Sequence, residues 1–394
     1  MLKGKTVVLG VTGSIAAYKI ANLARMLVKQ HCEVHVLMTQ NATNFINPIT
    51  FETLTKHKCL IDTFDRNFEF SVEHVALAKA ADMVMIAPAS ANVIGKIANG
   101  IADDMLTTTV MACPCKKIVS PAMNHNMFHN PIVQDNIEKL KHYGYEIVEP
   151  AHGMLANGDM GDGRMPDEEL LFEYIVKEIA FEKDMTGKKV LVTAGATVEA
   201  IDPVRFITNH SSGKMGFALA KNAMLRGADV TLVMGKCDSE PPVFVNTVKV
   251  QSAKDMYDAV IERADSMDII VKAAAVAGYR PKSVSSEKVK KQDGDMSIEL
   301  ERTDDILKTL GERKNGQFIC GFSMETENML ENSRKKLEKK NCDMIVANNL
   351  KQDGAGFGGN TNIVTLITKD DEVQLEKMTK DEVAEKIFDF ILSR

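Results

Sequence analysis

Lys5-Thr6-Val7-Val8-Leu9-Gly10-Val11 runs straight into Thr12-Gly13-Ser14, and Lys189-Val190-Leu191-Val192-Thr193 runs into Ala194-Gly195-Ala196-Thr197. Each is a short, apolar, β-branched run of the kind that is buried on both faces in a parallel sheet covered by helices. Each ends in a turn of small residues and is followed by helical periodicity. The recurrence halves a chain of 394 residues, a length comfortable for two domains of about 150–200 residues each.

Further strands are expected at 33–38, 82–87, 117–120 and 146–148, with helices around 15–30, 72–80 and 131–143. In the second half, strands are expected at 229–233, 268–272, 317–322, 344–347 and 362–368, and helices near 214–226, 253–264, 326–340 and 380–392. Strand–helix alternation implies right-handed βαβ units, hence an α/β protein of two doubly wound, Rossmann-like domains in tandem. The charged stretch 168–189 reads as a closing helix and a linker, placing the boundary near residue 186 and the domains at 1–186 and 187–394. Ligands of such sheets sit beyond the carboxyl ends of the strands, where this chain carries its Gly, Ser and Asn residues.

Composition narrows the class. The chain is 45% hydrophobic and 26% charged, as globular proteins are, and its net charge of −6 argues against nucleic acid or an anionic membrane as main partner. No secretory signal is legible at Met1-Leu2-Lys3-Gly4-Lys5, and no run reaches the roughly 18 apolar residues of a membrane span. The cysteines are odd in number and scattered, as expected of reduced thiols in a cytoplasm. Cys113-Pro114-Cys115 is the one close pair, and no second Cys/His pair at zinc-site spacing accompanies it.

In the first half, Gly10-Val11-Thr12-Gly13-Ser14 lets backbone approach a ligand closely and offers the Ser14 hydroxyl at a helix start. It is not G-x-G-x-x-G, and no acidic residue follows at ribose spacing. The turn therefore suits a mononucleotide phosphate better than a dinucleotide, and taken alone it is equally an ordinary βα turn. Pro88-Ala89-Ser90-Ala91-Asn92 and Pro121-Ala122-Met123-Asn124 follow later strands with polar groups suited to a heteroatom-rich ring. His74, in Ser71-Val72-Glu73-His74-Val75, is by itself a surface or capping residue.

Six motifs occur in order over residues 10–165: GVTGSIAAYK, SVEHVALA, PASAN-x-x-GKIANGIADD, TT-x-x-x-A, PAMN-x-x-M and G-x-L-A-x-GD-x-G-x-GRM. This half resembles the flavin-dependent cysteine decarboxylase family, and within it the phosphopantothenoylcysteine decarboxylases. The resemblance implies a flavodoxin-like domain holding FMN through Gly13, Ser14, Thr39, Ser90, Asn92, Thr107, Thr108 and Thr109. It implies His74 as the catalytic histidine and Asn124 as the carboxylate binder, in a reaction where flavin oxidises the cysteinyl thiol and the product loses CO2. One departure matters. The cysteine of the family's A-C-G-D flap is Asn157 here, and an amide is no acid near neutral pH. Asp159, Asp162 or water could replace it, the chain could be an inactivated variant, or it could release the oxidised enethiol.

In the second half, Ser211-Ser212-Gly213-Lys214 brings hydroxyls, free N–H groups and an ammonium within one turn, beside Arg205 and Asn209. A basic cluster at Glu287-Lys288-Val289-Lys290-Lys291 is, alone, a solvated face. With Ala273-Ala274-Ala275, Gly278-Tyr279-Arg280-Pro281, Asp305-Ile306, Phe322, Lys336–Lys340 and Ala347-Asn348-Asn349 it looks like the phosphopantothenate–cysteine ligases of the CTP-using type. That resemblance, over about 187–394, implies an acyl cytidylate formed from 4′-phosphopantothenate and CTP with Mg²⁺, then displacement of CMP by cysteine. Lys288 would stabilise charge at the α-phosphate. Asn209 and Ala275 would hold the acyl cytidylate. Ala273, Ala274, Gly278, Thr303, Asp304, Asp305, Ile306, Phe322, Lys336 and Lys340 would line the nucleotide. Gly278, Asn349 and Asn360 stand where the family has aspartate.

Together the resemblances imply a fused enzyme that makes 4′-phosphopantetheine in coenzyme A biosynthesis. They also imply a homo-oligomer, a dodecamer built from decarboxylase trimers and ligase dimers with FMN near a subunit interface. A flavin-binding regulatory protein without turnover, and a peptidyl-cysteine decarboxylase with an unrelated second half, are the competing readings.

Overall fold

The computed structural model describes residues 2–64, 73–155, 158–290, 296–325, 328–349 and 359–394. The chain divides into two compact units, Met1–Phe181 and Glu182–Arg394, so the division falls a few residues before the position expected from the charge pattern. Among the described residues no helix is long and apolar enough to cross a membrane.

In the first unit, β1 (Thr6–Val11), β2 (Glu33–Met38), β3 (Met83–Ala89), β4 (Lys116–Pro121) and β5 (Glu146–Ile147) form one sheet in the order β2-β1-β3-β4-β5. Every pairing is parallel. This is the flavodoxin-like order, whose direction of winding reverses between β1 and β3. Around it run α1 (Lys19–Lys29), α2 (Pro48–Thr55), α3 (Glu73–Ala80), α4 (Ala91–Ala98), α5 (Met105–Ala112), the short α6 (His125–Phe128), α7 (Pro131–His142) and α8 (Glu168–Ile179). All seven residues of β3 are buried, as a central strand covered on both faces requires. An antiparallel hairpin, β6 (Ala151–Met154) and β7 (Met160–Arg164), stands outside the sheet. Sequence reasoning did not anticipate it, because its glycines and polar residues carry no strand periodicity.

In the second unit, β8 (Lys189–Ala194), β11 (Asp229–Met234), β12 (Asn246–Lys249), β13 (Ile269–Lys272), β16 (Phe318–Glu325), β17 (Met344–Asn349), β19 (Val364–Ile367) and β20 (Glu372–Gln374) form a sheet ordered β12-β11-β8-β13-β16-β17-β19-β20. The first six are parallel and wound in the 3-2-1-4-5-6 sense of Rossmann sheets, with two antiparallel strands added at the edge. Small ladders pair β9 (Val198–Ala200) with β10 (Phe206–Thr208), β14 (Tyr279–Pro281) with β15 (Leu300–Arg302), and β18 (Thr361–Asn362) with β21 (Met378–Thr379). The helices are α9 (Lys214–Leu225), α10 (Ala253–Ala264), α11 (Ile306–Arg313), α12 (Met329–Lys339) and α13 (Lys380–Leu392). Capping boxes at Ser252/Asp255 and Thr379/Glu382 start α10 and α13. The doubly wound α/β class expected for both halves is what the chain adopts.

Candidate functional sites

In the first unit the loops after β1 and β3 meet at the reversal of winding. Thr12 is wholly buried, and its Oγ1 donates to the Pro88 carbonyl (2.6 Å) while accepting from the Ser90 N–H (2.9 Å). One hydroxyl thus ties the two loops together. Ser14 and Ser90 each begin a helix and accept from Ala16 N–H and Val93 N–H. Gly13 is required for closeness, since a Cβ there would lie 2.8 Å from Asn41 Cβ. Thr39 follows β2, its N–H bonded to the Val11 carbonyl, while its own Oγ1 is buried without a partner. A buried orphan hydroxyl beside a glycine turn is a site short of an acceptor or donor, which a phosphate-bearing ligand supplies.

A cavity of about 390 Å³ opens beside this edge, lined by Ser14, Lys19, Asn124, Leu155 and Arg164 among others. Asn124 starts α6, and its Oδ1 accepts from the Asn126 N–H (2.9 Å), leaving the amide N–H pair for a ligand. The β6–β7 hairpin seals onto the same segment. Gly163 accepts from the Met123 N–H (3.0 Å), and a side chain at Gly163 would strike the Met123 carbonyl. The Asp162 N–H donates to His125 Nδ1, and its carboxylate lies 2.9 Å from both His152 and His129. Those imidazoles, His152 first, hold the Asp162 carboxyl below the usual carboxylate range.

The remaining sequence candidates fall elsewhere. His74 lies half-buried on α3, and neither it nor Ser90, Asn92, Thr107 or Thr108 lines the cavity that holds Ser14 and Asn124. Thr107 forms a capping box with Asp104, Thr108 bonds the Ala102 carbonyl and Thr109 the Met105 carbonyl, so these three hydroxyls already have local partners. Asn157 lies outside the described residues.

The second unit repeats the device with different residues. Thr193 Oγ1 accepts from the Ala274 N–H (3.0 Å) and Thr197 Oγ1 from the Ala277 N–H (2.9 Å), tying the loop after β8 to the loop after β13. Gly195 and Gly213 both adopt positive φ, and a Cβ on Gly195 would sit 2.5 Å from the Lys236 carbonyl. Gly213 starts α9 and offers no side-chain cap to its first turn.

Two cavities flank the carboxyl end of β13. One, of about 430 Å³, collects Asn209, Ser211 to Lys214, Ala273 to Ala275 and Phe322. There Asn209 donates to the Ala275 carbonyl (3.3 Å). The other, of about 720 Å³, collects Gly278, Thr303, Asp304, Asp305, Ile306, Lys336 and Lys340. Lys336 Nζ donates to the Phe322 carbonyl (2.7 Å) and Lys340 Nζ to Asp305 (2.5 Å). Thr303 Oγ1 donates to the Ala277 carbonyl (2.6 Å). A Cβ on Gly278 would meet nothing within 4 Å, so an aspartate's absence there reflects no steric limit. Lys272 also lines this cavity; burial first, and Lys336 second, push its ammonium down to about 8.

Lys288 is exposed and lines neither cavity, but its neighbour is fixed. The buried Asp202 carboxylate accepts from the N–H groups of Val204 and Arg205 (both 2.8 Å) and of Val289 (3.1 Å), and from Arg205 Nε (3.0 Å) and Nη2 (2.6 Å). Arg205 Nη2 also donates to the Val289 carbonyl (2.6 Å). Arg205, expected beside Ser211–Lys214, serves instead in this clamp. Burial opposes the charge on Asp202, and the five donors outweigh it, holding the carboxyl well below the usual range. The sequence motifs gave Asp202, Thr12 and Lys272 no role. For Thr12 and Lys272 the readable signal was a polar residue directly after, or at the end of, an otherwise buried strand.

Residues 1–180 match the family described as Flavoprotein, and residues 185–394 the family described as DNA/pantothenate metabolism flavoprotein C-terminal domain. The chain is 48% identical over 373 residues to the coenzyme A biosynthesis bifunctional protein CoaBC of Bacillus subtilis (strain 168), covering 94% of this chain and 92% of that one. It is 40% identical over 394 residues to the protein of the same name from Haemophilus influenzae, covering 100% and 98%. It is 42% identical over 355 residues to a protein named cysteine/cysteine sulfinic acid decarboxylase from an unknown prokaryotic organism, covering 88% and 99%.

Proposed function

The chain belongs to the family of bifunctional coenzyme A biosynthesis proteins, and on that premise we propose which residues do its chemistry. It is an enzyme that joins a flavoprotein decarboxylase unit to a ligase unit. The second unit activates 4′-phosphopantothenate with CTP and Mg²⁺ and passes the acyl group to cysteine. The first then decarboxylates the conjugate to 4′-phosphopantetheine with FMN. What carries the reading is that both sheets place a glycine turn, locked by buried threonine hydroxyls, at the point where their winding reverses.

The buried orphan hydroxyl of Thr39 and the close turn at Gly13 fit FMN at the first site. FMN held there would supply reversible two-electron chemistry, accepting electrons from the cysteinyl thiol so that CO2 can leave and returning them to the resulting enethiol. Asn124 binds the departing carboxylate through its free amide N–H groups, a neutral contact that does not over-stabilise the ground state. His74 moves the proton. His74 does not line the cavity that holds Ser14 and Asn124, and the reading includes a homo-oligomer of decarboxylase trimers within a dodecamer whose ligase halves pair. Asp162, ionised between two histidines, is a poor proton donor, which favours Asp159 or water in the place of the family's flap cysteine.

In the ligase unit, Lys288 stabilises charge at the α-phosphate from a segment clamped at Val289. Asn209, held to Ala275, orients the acyl cytidylate, and the Lys336/Lys340 cavity takes the nucleotide. The experiment is incubation of the purified full chain with phosphopantothenate, cysteine, CTP and Mg²⁺, followed by mass analysis. Phosphopantetheine is expected. Arrest at the cysteine conjugate would remove the decarboxylase assignment, and no conjugate would remove the ligase assignment. Release of the enethiol would point to Asn157.

A further inference from the structure

We propose that Glu33, His35 and His57 form a binding site for a divalent transition-metal ion of the zinc, cobalt or nickel class, at the outer edge of the first sheet. The site stands apart from the reactions assigned above, and its residues line none of the cavities described.

β2 ends the sheet on its side, and Glu33 and His35, two residues apart along it, share one face. The third group arrives by a fixed route. α2 closes at Thr55, Lys56 turns the chain in the left-handed region (φ 65°), and the buried Thr55 Oγ1 accepts from the His57 N–H (3.2 Å). The chain then runs beside β2, with the Leu60 N–H bonded to the Val36 carbonyl (3.0 Å) and the Met38 N–H to the Leu60 carbonyl (2.9 Å). Both stretches of backbone that carry the cluster are thus held by hydrogen bonds of their own.

The donor atoms converge. His57 Nε2 lies 2.6 Å and His35 Nε2 3.9 Å from the same oxygen, Glu33 Oε1, and all three atoms fall within 4.8 Å of one another. The imidazole rings face each other with centroids 4.4 Å apart and planes tilted by 32°. A tetrahedral zinc ion with bonds of about 2.0–2.1 Å sets its ligands about 3.3 Å apart, so side-chain shifts of under about 1 Å close the cluster on an ion. The ion takes the place of the proton shared by His57 and Glu33, and that proton leaves to solvent. Two imidazoles and one carboxylate suit zinc, cobalt or nickel, whereas calcium and magnesium call for oxygen ligands. The Glu33 side chain is 53% exposed, which gives an entry path and room for water as a fourth ligand. Among the described residues its ion-pair partners are these two imidazoles, so no lysine or arginine competes for the carboxylate. The cluster of His125, His129 and Asp162 differs in this respect. There each carboxylate oxygen already meets an imidazole, and His125 Nδ1 accepts the Asp162 N–H.

The test is calorimetric titration of the metal-stripped full chain with zinc chloride, comparing the wild type with H35Q, H57Q and H129Q. The wild type should bind a zinc ion whose affinity falls by more than about 100-fold in H35Q and in H57Q, beyond what loss of an outer-shell partner costs, while H129Q binds as the wild type does. Three outcomes overturn the inference. The wild type takes up no zinc, so that the cluster is an ion-pair network only; zinc uptake survives H57Q, as thiol-bound zinc would; or it is H129Q that loses the ion. The His57 side chain is more exposed than that of His35, so H57Q guards against a folding defect in H35Q.

Discussion

Asp202→Asn should cripple acyl activation without touching substrate. The wild-type carboxylate accepts five N–H donors. An asparagine keeps one oxygen, and its new NH2 must oppose either the two backbone donors of Val204 and Arg205 or the three donors from Arg205 and Val289. In the second orientation Val289 loses its acceptor and Arg205 swings, so the Lys288 segment is no longer fixed at its neighbour. A displacement of about 1 Å in a positioned group costs on the order of 100-fold in rate. Pyrophosphate release from CTP and phosphopantothenate should therefore fall about 100-fold in kcat, with CTP affinity changed by only about threefold. Because Asp202 acts through Lys288, the double variant D202N/K288Q should be no slower than K288Q. The pH sign is fixed too. The folded carboxyl titrates below its ordinary value, so its contribution is present above about pH 4 and lost only as pH falls through the depressed value. The deficit of D202N should then be flat from about pH 5 to 9. A wild-type kcat in D202N, or losses from D202N and K288Q that multiply, would refute the clamp.

Gly13→Ala places a Cβ 2.8 Å from Asn41 Cβ, and the purified variant should lose its visible flavin absorbance while the ligase unit still releases pyrophosphate. Thr12→Val strands the Ser90 N–H without an acceptor, which should cost about 1–3 kcal/mol in chemical denaturation and lower flavin retention. Lys272 titrates at about 8, so CTP binding should weaken as pH rises from about 7 to 9 and its ammonium is lost, and K272M should bind weakly with no such slope. Among the cysteines, Cys115 should alkylate first. A hydrogen bond from Cys113, then the Lys117 charge, push its thiol below the usual value, whereas burial pushes Cys32 and Cys59 up to about 12. Peptide mapping after brief iodoacetamide treatment reads the order, and modification of Cys32 or Cys59 before Cys115 would count against it.

The strands of both sheets were legible because burial on two faces leaves unbroken apolar runs such as Val190-Leu191-Val192 and Val84-Met85-Ile86. The helices 253–264 and 380–392 were legible to the residue, since their capping residues Ser252 and Thr379 stand in the sequence. What stayed hidden had no local period. The β6–β7 hairpin is built on Gly153, Gly161 and Gly163, whose reason is contact with Arg164, His125 and Met123, a matter of tertiary approach. The strand Asn246–Lys249 is half exposed and polar, so nothing marked it. For the sites, the motif residues Asn209, Ala275, Ser14 and Asn124 do gather at cavities, whereas His74 does not line the cavity of Ser14 and Asn124. A sequence shows which residue types are available, but not which of them share a cavity.

The threonines explain why two different chemistries can use one arrangement. At each reversal of winding, neighbouring strands send their loops in opposite directions, and a crevice opens between them. The crevice keeps its width only if the loops are tied at its floor. Thr12 makes that tie in the first unit with one hydroxyl bonded on both sides. In the second, Thr193 and Thr197 make two ties, with the Ala275 N–H bonded to the Gly195 carbonyl between them (2.8 Å). A doubled tie suits a loop whose own N–H and C=O groups must present a reacting acyl group. A single tie suffices where the ligand's redox chemistry is its own and the protein need only seat it. On this argument, Thr193→Val or Thr197→Val should lower the rate of cysteine transfer more than CTP affinity, while Thr12→Val should act mainly on flavin retention. Stopped-flow measurement of CMP release against equilibrium nucleotide binding separates the two effects, and a pure loss of CTP affinity in the Thr193 and Thr197 variants would show that the ties serve the nucleotide instead.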